Sequence, residues 1–168
     1  MMKLTIILGF VLIIDLMTIL WVAVALVQDK RLFTSAPKDI QETAVEHEER
    51  FPHQKKIGWI ILIILAVIYV GAYVYGAYDG IRNSFSFREF FWRFLIMSYM
   101  LKVFDIVCLD YFLLTKSHFF QHYYPETEGC KGYDSFGFNR KEQLTRIILY
   151  PFFSLLLAYI CVKIKGCL

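Results

Sequence analysis

The sequence lacks the cysteine patterns of disulfide-bonded and zinc-binding domains. It has four cysteines and no C-x-x-C pair. Cys108 and Cys161 fall inside long apolar runs, Cys130 lies in a polar loop, and Cys167 is next to the last residue. Disulfide frameworks need cysteines that can pair in a small secreted domain, so we predict four free thiols.

The sequence also lacks the short motifs of the common soluble enzymes. It contains no Walker A, dinucleotide-binding, serine-elbow or H-E-x-x-H pattern. Its net charge is only +3, and the basic residues are scattered through the loops instead of forming one stripe. This charge pattern excludes a nucleic-acid-binding surface. We therefore predict no cofactor and no nucleic-acid partner, and leave open whether the chain is an enzyme.

Apolar residues, by contrast, are abundant and lie in long blocks. They make up 58% of the 168 residues, against about 45 to 50% in a typical soluble domain. Four blocks are long enough to cross the roughly 30 Å hydrocarbon core as helices. The first block is too long for a signal peptide and has no small-x-small cleavage site at its end. The sequence thus predicts one all-α integral membrane domain, a four-helix transmembrane bundle with spans at about 4–27, 57–78, 90–114 and 143–162.

Two surfaces are candidates for protein contacts. Loop 1, residues 28–56, is rich in charge, and its i,i+4 ion pairs predict a short surface helix near 37–50. This loop is either a solvated connector or the binding surface for a protein partner. Span 2 places Ala72, Gly76 and Gly80 at four-residue intervals, a spacing that lets two helices approach closely. Packing within the bundle and dimerisation both fit this spacing.

The predicted spans contain ionisable residues. A charged side chain at the bilayer centre costs about 2.5 to 3.5 kcal/mol, and such residues usually face the bundle interior and pair. Asp15 lies in the middle of span 1, and span 3 contains Lys102, Asp105 and Asp110. We predict a buried cluster with Asp15 and Asp105 around Lys102, and with Asp110 nearer to loop 3. These four residues are the candidate catalytic groups, and the alternative is that they only fix helix packing.

Loop 3, residues 115–142, mixes aromatic, glycine and charged residues. This mixture is not typical of a disordered linker, and the glycines permit tight turns, so we expect an ordered loop between spans 3 and 4. The loop either covers the bundle as a lid or anchors to the membrane interface. For the first case the candidate ligand-binding residues are Glu126, Glu128, Tyr133 and Asp134.

The same loop contains two histidines at helical spacing. His118 and His122 are four residues apart, which places both imidazoles on one face of a helix, as a metal site requires. Two histidines without a third firm ligand are a weak pattern, and Pro125 interrupts any helix that continues past them. We predict no metal and keep His118 and His122 as weak candidates.

The segments FDIVCLDYF and YPETEGCKGYDSFGF, within about residues 104–138, resemble a group of small bacterial integral membrane proteins. The shared pattern is an acid-rich third span followed by a P-x-T-E-G…G-Y-x-x-[FY]-G-F loop. That group has no established activity, so the resemblance implies an architecture and no mechanism. The Arg- and Asn-bearing helix signature of the four-helix eicosanoid enzymes is absent.

Two functional classes remain open. The preferred one is a non-catalytic membrane subunit or adaptor, in which loop 1 or span 2 meets a protein partner. The alternative is an intramembrane polar site that binds or processes a lipid-like ligand, or relays protons, through the four ionisable span residues. Membrane lipids are partners in both classes. The excess of Lys and Arg in loops 1 and 3 favours placing these loops in the cytoplasm and both termini across the cell membrane.

Overall fold

The computed structural model describes residues 2–33 and 36–167, and this part of the chain is all helical, without a β-strand. The α-helices are α1 (Met2–Val22), α2 (Lys38–Thr43), α3 (Gln54–Arg82), α4 (Phe87–Phe104), α5 (Phe119–Tyr123) and α6 (Arg140–Cys167). Two π-helical segments follow α1 and α4, at Ala23–Val27 and Asp105–Lys116. Short 3-10 turns lie at Lys30–Phe33, Pro125–Thr127 and Lys131–Asp134.

Three helical stretches are long and apolar enough to cross a membrane: Met2–Val27, Gln54–Arg82 and Arg140–Cys167. Much of their apolar surface is exposed, as a helix in contact with lipid requires. Ile63 and Val67 on α3, for example, expose 62% and 66% of their surface. These helices fit a membrane protein and match three of the four predicted spans.

The fourth predicted span, residues 90–114, is helical but less apolar. It combines α4, of 18 residues, with the π-helical segment Asp105–Lys116, of 12 residues. Four charged residues, Arg93, Lys102, Asp105 and Asp110, interrupt its apolar sequence, and it is not among the three stretches above. Three polar residues of α4, Arg93, Ser98 and Lys102, are all at most 2% exposed.

The chain divides into two compact units. The first comprises Met1–Asp15, Ala66–Val103 and Lys141–Leu168, and the second comprises Leu16–Leu65 and Phe104–Arg140. The long helices α1 and α3 each contribute one part to each unit.

In the first unit, α3 packs its small residues against α4. A methyl group added at Gly80 would collide with the ring of Phe90, and one added at Gly76 would touch Leu8 and Arg93. Ala72 is 5% exposed. The small-residue face of α3 is therefore used for packing within the chain, as one of the two predicted uses required.

In the second unit, a buried glutamine joins the end of the first long helix to the start of α3. Gln54, 1% exposed, donates from its side-chain Nε2 to the carbonyl of Leu26 at 2.9 Å. Its Oε1 accepts the backbone N–H of Arg50 at 3.0 Å. Carbonyls at a helix end have no partner within the helix, so Gln54 satisfies groups that would otherwise stay unpaired.

The predicted helix at 37–50 is wrong in its second half, because α2 ends at Thr43. The backbone of Ala44 is extended, and the N–H of Val45 donates to the carboxylate of Glu126 in loop 3 at 3.0 Å. The expected pairing of Glu46 with Arg50 is replaced by a 3.9 Å contact between Glu46 and Lys55. A tertiary hydrogen bond thus outweighs the weak local helix signal.

Candidate functional site

The first unit contains a groove of about 510 Å³ among α3, α4 and α6. Sites for small molecules typically measure about 300 to 1,000 Å³. The described residues that line it are all uncharged: Tyr69, Tyr73, Ser98, Leu101, Leu149, Tyr150, Phe152, Phe153 and Leu156.

The floor and the rim of this groove differ in exposure. On α4, Ser98 and Leu101 are 2% and 7% exposed and form the floor. On α6, Leu149, Phe152 and Leu156 are exposed apolar side chains and form the rim. All three helices belong to predicted spans. The rim is therefore expected to face lipid chains.

The polar groups in the groove are hydroxyls. The Tyr73 hydroxyl and Ser98 Oγ are 3.2 Å apart and share a hydrogen bond. The ring of Tyr69 lies 5.7 Å from that of Tyr73, and the ring of Tyr150 packs edge to face on Tyr99. An uncharged, hydroxyl-bearing lining suits the hydrogen bonding of a neutral polar group next to a hydrocarbon chain.

Asp15, the buried acid of α1, belongs to the same unit. It is 4% exposed, and neither of its carboxylate oxygens has a hydrogen-bond partner among the described residues. Asp15 is not among the described residues that line the groove, but it belongs to the same unit as Tyr69, which does. A buried carboxyl without a partner costs free energy, so it is a candidate for a group that completes its hydrogen bonds on a ligand.

Lys102 is also buried in the first unit, at 2% exposure. The predicted pairing of Asp15 with Lys102 is not formed, because Asp15 takes part in no ion pair within the described residues. Burial of both side chains agrees with the sequence prediction, but the spacing along two helices did not determine which groups would meet.

Asp105 and Asp110 belong to the second unit and are half-buried. They lie on the π-helical segment, in which residues five apart are linked, instead of on the α-helix that the 100° step assumed. Asp110 Oδ2 accepts a hydrogen bond from Asn139 Nδ2 at 3.2 Å. This contact ties the segment to the end of loop 3.

Two of the four candidate ligand-binding residues of loop 3 are already engaged in contacts within the protein. Tyr133, 7% exposed, shares a 2.6 Å hydrogen bond with Thr127, while Glu126 binds Val45 and lies 3.1 Å from His47 Nε2. Burial raises the pKa of Tyr133. Burial opposes ionisation of Glu126, but the hydrogen bonds from Val45 and His47 outweigh it and hold the pKa of Glu126 below its ordinary value.

The other two candidates, Glu128 and Asp134, are exposed. Between these two residues, the loop makes a tight turn and its backbone passes close to loop 1. Gly129 adopts φ +89°, and a side chain at Gly132 would collide with Asp39, whose Oδ2 accepts the Gly132 N–H at 2.7 Å. The exposed carboxylates are thus held by a loop that is fastened to loop 1.

The two candidate metal ligands, His118 and His122, are both exposed. The N–H of His122 donates to the carbonyl of His118, so the predicted helical spacing is present. Within residues 2–33 and 36–167, no group of three His, Cys, Asp or Glu side chains is placed to hold a metal ion.

Arg93 is a polar feature that the sequence analysis missed. It is fully buried, donates from Nη1 to the carbonyl of Gly76, and has Nη2 2.7 Å from Asp79 Oδ2. Its guanidinium carbon lies 4.3 Å from the ring centre of Phe85. An arginine at the start of one predicted span and an aspartate at the end of the preceding one would have signalled this pair.

Tyr73 and Ser98 were missed as a pair, since hydroxyl residues in apolar spans carry no distinctive spacing. No protein-family model, no curated protein and no solved structure matches this chain.

Proposed function

We propose that this chain is a four-span membrane protein that binds the hydrocarbon chain of a lipid-like molecule in the groove among α3, α4 and α6. The observation that carries the proposal is a groove with a buried floor at Ser98 and Leu101 and an exposed apolar rim on α6. A membrane lipid next to such a rim buries its chain without leaving the bilayer.

The fourth span of this proposal is α4 with the π-helical segment that follows it. Two of its charged residues, Arg93 and Lys102, are buried by protein and so do not face lipid. Together the two segments contain 18 and 12 residues, which is long enough for the roughly 30 Å hydrocarbon core.

The adaptor interpretation has less support from the contacts. The small residues of α3 pack against α4 within the chain, and Asp39 and Val45 of loop 1 bind loop 3. Residues of both predicted partner surfaces are therefore already in contact with other parts of the same chain.

The ligand proposal is tested with the protein in bilayer nanodiscs and a long-chain alcohol that carries a diazirine on its alkyl chain. We expect photolabelling of the α6 peptide that contains Leu149 and Phe152. Leu149→Trp, which narrows the exposed rim, should reduce this labelling at least fivefold. Val67→Trp introduces the same side chain at an exposed site of α3 outside the groove and should leave the labelling unchanged.

Leu101→Trp fills the floor and should abolish the labelling, provided that the variant keeps its thermal stability. If it unfolds, the exposed Leu149 site still decides the question. Equal labelling of wild type and Leu149→Trp, or labelling spread evenly over all exposed apolar residues, contradicts the groove as a binding site.

We also propose that both termini lie on the outer side of the cell membrane, with loops 1 and 3 in the cytoplasm. Single-cysteine chains are labelled in intact cells with a membrane-impermeant maleimide. Cys167 and a cysteine from Lys3→Cys should both react, whereas one from Glu48→Cys should react only after permeabilisation. Reaction of only one terminus contradicts four spans, and the reverse pattern contradicts the orientation alone.

A further inference from the structure

We infer that the molecule held in the groove is an uncharged lipid with a hydroxyl group, such as a diacylglycerol or a long-chain alcohol, and not an anionic lipid. This inference rests on the proposed function and specifies its ligand. It begins from the chemistry of the lining, in which every described polar group is a hydroxyl.

The groove lacks positive charge where a polar group would lie. Recognition of a phosphate or carboxylate in a site of low dielectric needs Arg, Lys or several N–H donors, and none of the described lining residues supplies a cationic side chain. The Tyr73 and Ser98 hydroxyls, 3.2 Å apart, can instead exchange hydrogen bonds with a hydroxyl or ester.

The carboxyl of Asp15 also bears on the choice of ligand. Asp15 is only 4% exposed, and both of its carboxylate oxygens lack a hydrogen-bond partner among the described residues. Asp15 and Tyr69 of the groove wall belong to the same unit. A carboxyl in either protonation state hydrogen-bonds a hydroxyl, and in its ionised form it repels a nearby anion.

The neighbouring cation does not reverse this preference. Lys102 is buried, but it does not line the groove. Arg93 is engaged by Asp79 and Gly76 and is fully buried. Neither cation is thus among the described residues that line the groove.

The test is competition against the photoreactive long-chain alcohol in nanodiscs of zwitterionic lipid. The competitors are an alcohol and a fatty acid of equal chain length, and a diacylglycerol and a phosphatidic acid with equal chains. We expect each uncharged competitor to halve the labelling at a concentration at least tenfold lower than its anionic counterpart.

Asp15→Asn should shrink this difference at least threefold, because it removes the negative charge and keeps a polar side chain. Asp110→Asn is the matched control, since that carboxyl lies in the second unit and binds Asn139. It should leave the preference unchanged.

The outcomes separate the two proposals. If the groove is not labelled at all, the proposed function fails. If the groove is labelled but the fatty acid or phosphatidic acid competes as well as its uncharged counterpart, only the inference about the ligand fails. A preference for uncharged lipids that Asp15→Asn does not alter overturns the role given to Asp15.

Discussion

The hydroxyl of Tyr99 donates a hydrogen bond to the carbonyl of Ile147 at 3.2 Å. Pro151 lies four residues after Ile147 inside α6 and has no N–H, so the carbonyl of Ile147 has no donor within its own helix. The tyrosine of α4 therefore replaces the missing helical hydrogen bond of α6. In hydrocarbon, where water does not supply the bond, this contact allows a proline inside a spanning helix.

Tyr99→Phe should lower the free energy of unfolding by about 0.6 to 1.7 kcal/mol, the range found for hydrogen bonds between membrane helices. The cost arises because the carbonyl of Ile147 stays unpaired. The measurement is equilibrium unfolding in mixed micelles, followed by circular dichroism.

Pro151→Ala provides the matched background for this measurement. Alanine restores the N–H that pairs with Ile147 within α6, so Tyr99→Phe should then cost less than half as much. An equal cost in both backgrounds would show that Tyr99 stabilises the protein through ring packing, for example on Tyr150, instead of through this hydrogen bond.

The close approach of α3 and α4 gives a second prediction. Gly80→Ala places a methyl group against the ring of Phe90 and should destabilise the protein by about 1 to 3 kcal/mol, as overpacking does. Gly71→Ala is the control on the same helix, because no atom lies within 4 Å of the added methyl, and it should not lower stability. Thermal melting in one detergent compares the two variants, and similar melting temperatures would contradict this packing.

The fastening of loop 1 to loop 3 should weaken in acid. The folded-state pKa of Glu126 lies below its ordinary value near 4.5, so the contribution of its carboxylate to stability is fully present above that pH. It is lost as the pH falls from about 4.5 through the lower folded-state pKa. Hydrogen exchange of the Val45 amide, which Glu126 binds at 3.0 Å, should therefore lose protection in this acidic window.

Glu126→Gln should already show reduced protection at neutral pH and little further loss in acid. Glu128→Gln is the control, since Glu128 is an exposed carboxylate of the same loop. It should behave as the wild type does. An unchanged acid response in Glu126→Gln would assign the loss of protection to other carboxylates.

The sequence predicted what depends on neighbours along the chain. Long apolar runs were enough to locate α1, α3 and α6, because hydropathy is a local sum. The burial of Asp15 and Lys102 followed from their cost in lipid. The packing of Ala72, Gly76 and Gly80 within the chain was one of two predicted uses, and their contacts confirm it.

The contacts between helices could not be predicted in the same way. Which side of α1 faces which side of α4 depends on packing, so the pairing of Asp15 with Lys102 was wrong, and the pair Tyr73–Ser98 had no signal. The segment Asp105–Lys116 changes from α to π spacing, which no α-helical period anticipates. In loop 1, the hydrogen bond from Val45 to Glu126 ends the helical pattern early.

The buried ion pair of Arg93 and Asp79 should respond unequally to removal of its two partners. Arg93 is fully buried, whereas the side chain of Asp79 is 24% exposed and also accepts a hydrogen bond from Asn83. Asp79→Ala leaves a buried charge without its counter-ion and should cost about 3 to 5 kcal/mol in unfolding free energy. Arg93→Met leaves a carboxylate that reaches water and should cost less. The double variant with Asp79→Ala and Arg93→Met should therefore be more stable than Asp79→Ala alone. If the costs of the two single changes simply add in unfolding experiments, the two side chains are not coupled.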